Sequence, residues 1–247
     1  MKFDGKVVVV TGGSRGMGRQ MCLAFADEGA HVVVASRKLS DCQAVAAAAE
    51  ELHGLRALAV DCNVSNWDQC DALVDKVYNE FGRVDVLVNN AGLSPLYPSL
   101  NEVTEAYFDK VIGVNLKGPF RLAAAIGTRM AEENTGSIIN ISSIEAIRPD
   151  TNAIPYAAAK AALNNLTEGL AQVFGPSGVR VNAIQCGPFL TDISAAWTDK
   201  MRETFDSSTA LRRCGEPNEI VGAALYLAGP ESSFCTGAVV RLDGGVR

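Results

Sequence analysis

Tyr156 and Lys160 stand four residues apart in Pro155-Tyr156-Ala157-Ala158-Ala159-Lys160, at the head of a stretch rich in alanine and leucine that runs to Phe174. With Pro155 leading in, the composition predicts a helix over 156–174 that carries both side chains on one face. A phenol beside an ammonium is an acid/base unit. Tyrosine titrates at about 10 and is a poor base at neutral pH, but an ammonium ~4 Å away at an effective dielectric of about 20 favours phenolate by ~4 kcal/mol. That is about three pKa units, enough to bring the phenol to about 7. The same spacing on an ordinary amphipathic helix gives only a surface lysine and a half-buried tyrosine, so the rest of the chain must decide. Ser143, upstream of Tyr156, offers a hydroxyl that could meet the pair.

The elements that would position these groups alternate strand and helix. Val7-Val8-Val9-Val10 is a continuous β-branched run, as expected of a strand buried on both faces. It ends in Thr11-Gly12-Gly13-Ser14-Arg15-Gly16-Met17-Gly18, after which Met17, Met21 and Phe25 recur at helical spacing up to Gly29. Glycines let a ligand approach the backbone, and the helix start behind them offers unpaired N–H groups to a pyrophosphate. The spacing Gly12-x-x-x-Gly16-x-Gly18 differs from the common Gly-x-Gly-x-x-Gly fingerprint, and glycine loops also serve as plain turns. Further strands are expected at 31–36, 56–60, 84–88, 136–143, 180–184 and 238–242. Helices are expected at 41–52, with Ser40 or Asp41 as cap, from Ser65 or Asn66 to about Phe81, at 104–111 and 114–133, and from about Glu216. Such repeats imply an α/β fold, a single-domain doubly wound parallel β-sheet over residues 1–247 with helices on both faces and ligands beyond the strand carboxyl ends. Residues 186–215 look like a substrate lid.

At the end of the second strand, Ser36-Arg37-Lys38 contains no acid that could pair with a ribose 2′-hydroxyl, whereas arginine suits a 2′-phosphate. A solvated basic turn would look the same. With Arg15 in the glycine loop, the residues favour NADP over NAD, although Asp41 could reach ribose hydroxyls if the loop folded back.

Composition narrows the remaining classes. The 247 residues are 48% hydrophobic, with 22 basic against 28 acidic residues and a net charge of −6. No Lys/Arg block could neutralise a phosphate backbone, so neither nucleic acid nor an anionic membrane is an expected partner. The apolar run before Gly12 is too short for a signal peptide, and none reaches spanning length, which leads us to expect a cytoplasmic protein. Seven scattered cysteines and two isolated histidines suggest neither a disulfide framework nor a metal site.

Taken together, Thr11-Gly12-x-x-x-Gly16-x-Gly18, Asp61 with Val64, Asn89-Asn90-Ala91-Gly92, Asn115, Ser143 and Tyr156-x-x-x-Lys160 resemble the short-chain dehydrogenase/reductase family in order and spacing over the whole chain. Coincidence at six independent places is implausible. The resemblance implies that Tyr156 is the acid/base, that Lys160 tunes it and binds the nicotinamide ribose, that Ser143 holds the reacting oxygen, and that Asn115 helps hold a proton-relaying water. It places Gly12, Arg15, Gly16 and Gly18 near the pyrophosphate and ribose, Asp61 and Val64 at the adenine, Asn89 beside the ribose and Thr191 at the carboxamide. Ser14, Met17, Cys62, Asn63, Ala91, Gly92, Gly187 and Phe189 complete the implied cofactor set. Cys186 stands where the family usually has proline, which leaves a free N–H at the nicotinamide loop. A carbonyl or alcohol substrate would meet Leu93, Ser94, Leu96 and Tyr97 on one side and Glu145, Ile147 and Arg148 on another, with Phe189 and Trp197 above. The resemblance also implies a homotetramer, for which Ala157-Ala158-Ala159 and Val221-Gly222-Ala223-Ala224 offer small residues. An NAD-linked alcohol, sugar or polyol dehydrogenase and a non-catalytic dinucleotide sensor are the rival readings.

Overall fold

Val8, Val9 and Val10 are wholly excluded from solvent, which at about 1.5–3 kcal/mol per side chain makes the first strand one of the strongest organisers of the chain. In the computed structural model, which describes every residue except Asp192, Ile193, Ala195, Ala196 and Arg247, that strand is β1 (Val7–Thr11). Four of those residues fall in the expected lid, and that part of it lies outside the described residues. Six more strands follow: β2 (His31–Ser36), β3 (Ala57–Asp61), β4 (Val86–Asn89), β5 (Gly136–Ser143), β6 (Val179–Cys186) and β7 (Val239–Leu242). All pair in parallel, in the order β3-β2-β1-β4-β5-β6-β7. The order turns back between β1 and β4, the place where a doubly wound sheet opens a crevice.

Side-chain parity divides the core into two layers. Val8, Val10, Val32 and Val34 pack with helices α1 (Gly16–Asp27), α2 (Leu39–His53) and α8 (Val221–Ala228), whereas Val7, Val9 and Val33 face α3 (Trp67–Phe81), α5 (Gly118–Glu132) and α6 (Ile154–Phe174). The remaining helices are α4 (Glu105–Ile112) and α7 (Asp199–Ser208).

Several boundaries differ from the sequence expectation for local reasons. α2 starts at Leu39, so Ser40 and Asp41 lie inside its first turn and Lys38 is the uncapped N-cap. α3 does begin at Asn66, whose side chain accepts from the Gln69 N–H at 3.0 Å. The helix expected over 114–133 is broken by a π turn at Gly113–Lys117, because Pro119 lacks the N–H that would bond to Asn115 and the chain closes instead through Gly118 N–H to the Gly113 carbonyl. A side chain at Gly118 would stand 2.4 Å from the Val64 carbonyl oxygen, so this turn also sets how closely α5 approaches the loop after β3. α7, capped by Thr198, lies within the segment read as lid. The expected helix near Glu216 opens as a 3-10 turn, Pro217–Ile220, with a Glu216–Glu219 capping box.

Candidate active site

The loops at the carboxyl ends of β1 to β6 surround one cavity of about 580 Å3. The glycine loop is fixed from below by Thr11, whose hydroxyl donates to the Val88 carbonyl and accepts from the Asn90 and Ala91 N–H groups. Asn90 Nδ2 in turn bonds the carbonyls of Thr11 and Gly12 at 2.8 and 3.1 Å. The resulting seam has no room for side chains: a Cβ at Gly18 would lie 2.2 Å from the Gly12 carbonyl oxygen, and one at Gly12 would meet Ala91 Cα at 2.9 Å. Gly12 and Gly16 adopt φ of 63° and 51°, where only glycine is unstrained. At Gly16 a Cβ would meet nothing nearer than Thr191, so the loop presents bare backbone and the first N–H groups of α1 to open space, as a pyrophosphate cradle requires.

Most residues named from sequence reach this cavity: Gly12, Ser14, Arg15, Gly16, Met17 and Gly18 from the first loop, Ser36 and Arg37 after β2, Cys62, Asn63 and Val64 after β3, and Ala91 and Gly92 after β4. Gly187, Phe189 and Thr191 close it from the far side. Ser14 and Ser36 hydroxyls bond at 3.0 Å, tying the glycine loop to the turn that carries Arg37.

Four of the residues named for cofactor binding or catalysis do not line it. Lys38 and Asp61 are exposed beyond its edge. Asn89 is buried under the sheet, donating to Asn140 Oδ1 at 3.0 Å, and Asn140 continues to the Thr167 hydroxyl. Its neighbour Asn90 is the asparagine at the cavity, a residue the sequence reading passed over. Asn115 is wholly buried in the π turn, where its amide donates to the Leu93 and Val111 carbonyls and its oxygen accepts from Leu93 N–H, so it holds the loop after β4 against α4.

On the opposite wall β5 delivers Ser143 and α6 delivers Tyr156 and Lys160. α6 begins at Ile154, with Pro155 in its first turn, so the tyrosine sits at the helix start. Ala157, Ala159 and Leu163 form its buried face and bring it close to β5, and Lys160 is held there with 3% of its surface exposed. Its Nζ donates to the Ile141 carbonyl at 2.7 Å and lies 5.6 Å from the Tyr156 ring centre. Burial pulls this ammonium down to about 8, an effect opposed by the nearby Cys186. Tyr156 is enclosed by its neighbours while part of its surface stays open to the cavity. Burial raises its phenol well above the ordinary value, a hydrogen bond with Ser143 opposes the rise, and Cys186 and Glu145 add to it. The shift therefore runs opposite to the near-neutral phenol expected from sequence, with burial as its largest cause. Cys186 ends β6 with its side chain 5% exposed, and burial pushes its thiol up to about 12.

On the substrate side, Leu93, Ser94, Leu96, Glu145, Phe189 and Trp197 line the cavity as expected. Tyr97 does not, because its hydroxyl is spent on the Thr151 carbonyl and the Ile154 N–H. Ile147 is exposed and Arg148 reaches the Val246 carbonyl instead. Phe205, which falls in the segment read as lid, lines the cavity from α7, and Met201 of the same helix joins it without having been singled out in the sequence.

The arrangement as a whole is one crevice that runs from the glycine loop to Ser143, Tyr156 and Lys160. Residues 12–247 match the family profile described as enoyl-(acyl carrier protein) reductase. A 3-oxoacyl-[acyl-carrier-protein] reductase of Thermotoga maritima is 37% identical over all of this chain and 99% of its own. The chain belongs to the short-chain dehydrogenase/reductase family. Among solved structures of the family, a 7α-hydroxysteroid dehydrogenase complexed with NADH and 7-oxo glycochenodeoxycholic acid superposes with a TM-score of 0.94 at 31% identity, covering 99% of this chain and 95% of that one. An NAD+-bound xylitol dehydrogenase superposes with a TM-score of 0.93 at 28% identity, covering 99% and 100%. The short-chain dehydrogenase/reductase assignment makes this an enzyme acting on CH–OH or C=O groups. Among the described residues no helix is long and apolar enough to cross a membrane.

The depressed lysine has a measurable consequence. Between pH 8 and 10.5 the native state has lost a proton that the unfolded state still holds, so wild-type stability rises with pH through that window as the penalty on the buried ammonium is relieved. Lys160→Met cannot show this rise. In urea titrations the wild type should gain up to about 3 kcal/mol on Lys160→Met between pH 7 and 10.5, and a difference that stays flat with pH would contradict the buried, charged placement.

Proposed function

We propose that this enzyme uses NADP(H) to interconvert a ketone, a 3-oxo compound or a similar carbonyl, with its secondary alcohol, and that Ser143, Tyr156 and Lys160 are its proton-transfer centre. The observation that carries the reading is the placement of Tyr156 beside Ser143 and the buried Lys160 at the inner end of the crevice that begins at the glycine loop. When bound, the nicotinamide supplies or accepts the hydride. The protein supplies the rest. With its phenol raised by burial, Tyr156 holds its proton at neutral pH and is set to give it to a carbonyl oxygen as that oxygen gains charge. Ser143 accepts the Glu145 N–H at 3.2 Å, which leaves its own hydrogen for the phenol or the reacting oxygen. Lys160 keeps a positive charge beneath both and has donors to spare for a ribose hydroxyl. Asn115 positions the loop through Leu93 and, by family likeness, takes part in the water relay.

For the cofactor, Gly12, Ser14, Gly16 and Gly18 would hold the pyrophosphate, and Arg37 with Ser36 would take a 2′-phosphate by charge-assisted hydrogen bonds. No acid at the end of β2 competes for the ribose hydroxyls. Phe189, Trp197, Met201 and Phe205 supply an apolar wall, and we read residues 186–215 as the substrate lid of a single domain spanning the chain.

A homotetramer follows the family likeness. Of the small residues considered from sequence, Ala157, Ala159 and Ala224 are buried and cannot meet another copy. Exposed aromatics give the better support: Phe108 and Phe120 on α4 and α5, and Phe234 and Tyr226 at the α8 end, leave two apolar faces uncovered. Cytoplasmic localisation is the reading that accords with the charge and the cysteine usage.

Tyr156→Phe should lower turnover at least about a thousandfold with dinucleotide binding near wild type, whereas Lys160→Ala should lose both. Substantial steady-state activity in folded Tyr156→Phe would remove the assigned acid. In fluorescence titrations NADPH should bind more tightly than NADH, and Arg37→Ala should weaken NADPH about ten- to a hundredfold while moving NADH less than about threefold. Equal or tighter NADH binding by the wild type would reverse the cofactor assignment. Sedimentation at micromolar concentration should give a tetramer, and a monomer would refute it.

A further inference from the structure

Glu145 is an acidic residue lining this pocket next to Ser143. It lies in the short 3-10 turn that follows β5, two residues beyond Ser143, and its backbone is held by the Ser143 hydroxyl. One carboxyl oxygen, Oε2, accepts the Asp150 N–H at 2.6 Å. The other, Oε1, has no hydrogen-bond partner among the described residues and is not sealed off from the cavity that Glu145 lines. Glu145 and Tyr156 line the same cavity, and the Glu145 N–H lies 3.2 Å from the Ser143 hydroxyl, which sets this residue beside the proposed proton-transfer centre. Burial raises this carboxyl above its ordinary value, the Asp150 N–H pulls it back, and the Asp150 charge raises it further. A desolvated carboxyl with one open acceptor oxygen is costly unless a ligand completes it.

The surrounding surface narrows that ligand. Across the cavity stand Phe189, Trp197, Met201 and Phe205, with the Trp197 and Phe205 rings 4.3 Å apart. Asp150 lines the same side as Glu145, its own carboxylate accepting the Asn152 N–H, while the exposed Lys110 on α4 also reaches the lining. Two acids on this side of the lining disfavour a substrate carboxylate there, and the apolar wall opposes a fully polar molecule.

We infer that the open oxygen of Glu145 accepts a hydrogen bond from a substrate hydroxyl one or two carbons from the reacting carbon, selecting neutral hydroxylated ketones and their diols over simple ketones and over keto acids. This rests on the proposed carbonyl–alcohol reaction and names its substrate class. Glu145 is thus a specificity-determining residue, acting by one directed acceptor. A site built to bond a hydroxyl discriminates sharply against the analogue lacking it, because the buried acceptor is then left unpaired.

The test compares 1-hydroxy-2-butanone with 2-butanone, which differ by that single hydroxyl, by kcat/KM for reduction in wild type, Glu145→Gln and Glu145→Leu. The inference expects the wild type to favour the hydroxylated ketone at least about tenfold, the ratio to fall about tenfold or more in Glu145→Leu, and Glu145→Gln, which keeps an acceptor oxygen, to lie between. Comparing this ratio between the proteins cancels the intrinsic reactivity difference of the two ketones. If Glu145→Leu does not fold, Glu145→Gln alone must lower the ratio at least about threefold. An unchanged ratio in the variants, or an equal loss on both ketones, would overturn the inference while leaving the reaction standing. Failure of the wild type to reduce either ketone with NADPH or NADH would overturn the proposed reaction and the inference with it.

Discussion

The site depends on keeping a lysine ammonium inside the protein. Lys160 is packed between β5 and α6 with little water around it, and its compensation is a single short hydrogen bond to the Ile141 carbonyl. That bond is available only where the strand's edge carbonyls approach the helix, so the small buried face of α6, Ala157 and Ala159 ahead of Leu163, is a condition for the chemistry as well as a packing device. The Ser142 hydroxyl reaches the Lys160 carbonyl from the strand and fastens the same junction from the backbone side. Burial then acts on both partners in opposite senses. It pulls the ammonium down to about 8 and pushes the phenol up.

The far end of the crevice is built on a different constraint, the absence of side chains. Gly12 and Gly18 are pressed against one another and against Asn90 and Ala91, and Thr11 ties this seam to β4. Because β1 and β4 are neighbours at the place where the strand order reverses, the glycine loop and the residues after β4 are assembled by the same pairing. The Asn89–Asn140–Thr167 chain runs beneath it and links β4, β5 and α6, so the two ends of the crevice share one polar spine under the sheet.

Much of this was legible in the sequence, because buried parallel strands announce themselves as apolar runs and glycine loops as breaks between them. What was lost turned on single-residue matters. Asn89 and Asn90 are the same residue type at a strand end, and side chains alternate in direction, so the last paired residue, Asn89, points under the sheet and the next points to the cavity. Asn115 reads as an ordinary helical position until Pro119 forces a π turn around it. The sign of the Tyr156 shift was missed because a charge-pair estimate at high dielectric leaves out desolvation, which only a folded neighbourhood reveals. Phe205 of α7 falls in the segment read as lid, but Met201 meets the cavity through tertiary packing that no local pattern encodes.

The most direct test of the central claim follows the absorbance of reduced nicotinamide after purified wild-type protein is mixed with NADPH and a panel of neutral ketones. Our account predicts ketone-dependent loss of absorbance with one equivalent of secondary alcohol formed per cofactor oxidised. Tight dinucleotide binding without turnover across the panel, with NADPH or NADH, would contradict it and leave a sensor in place of a reductase.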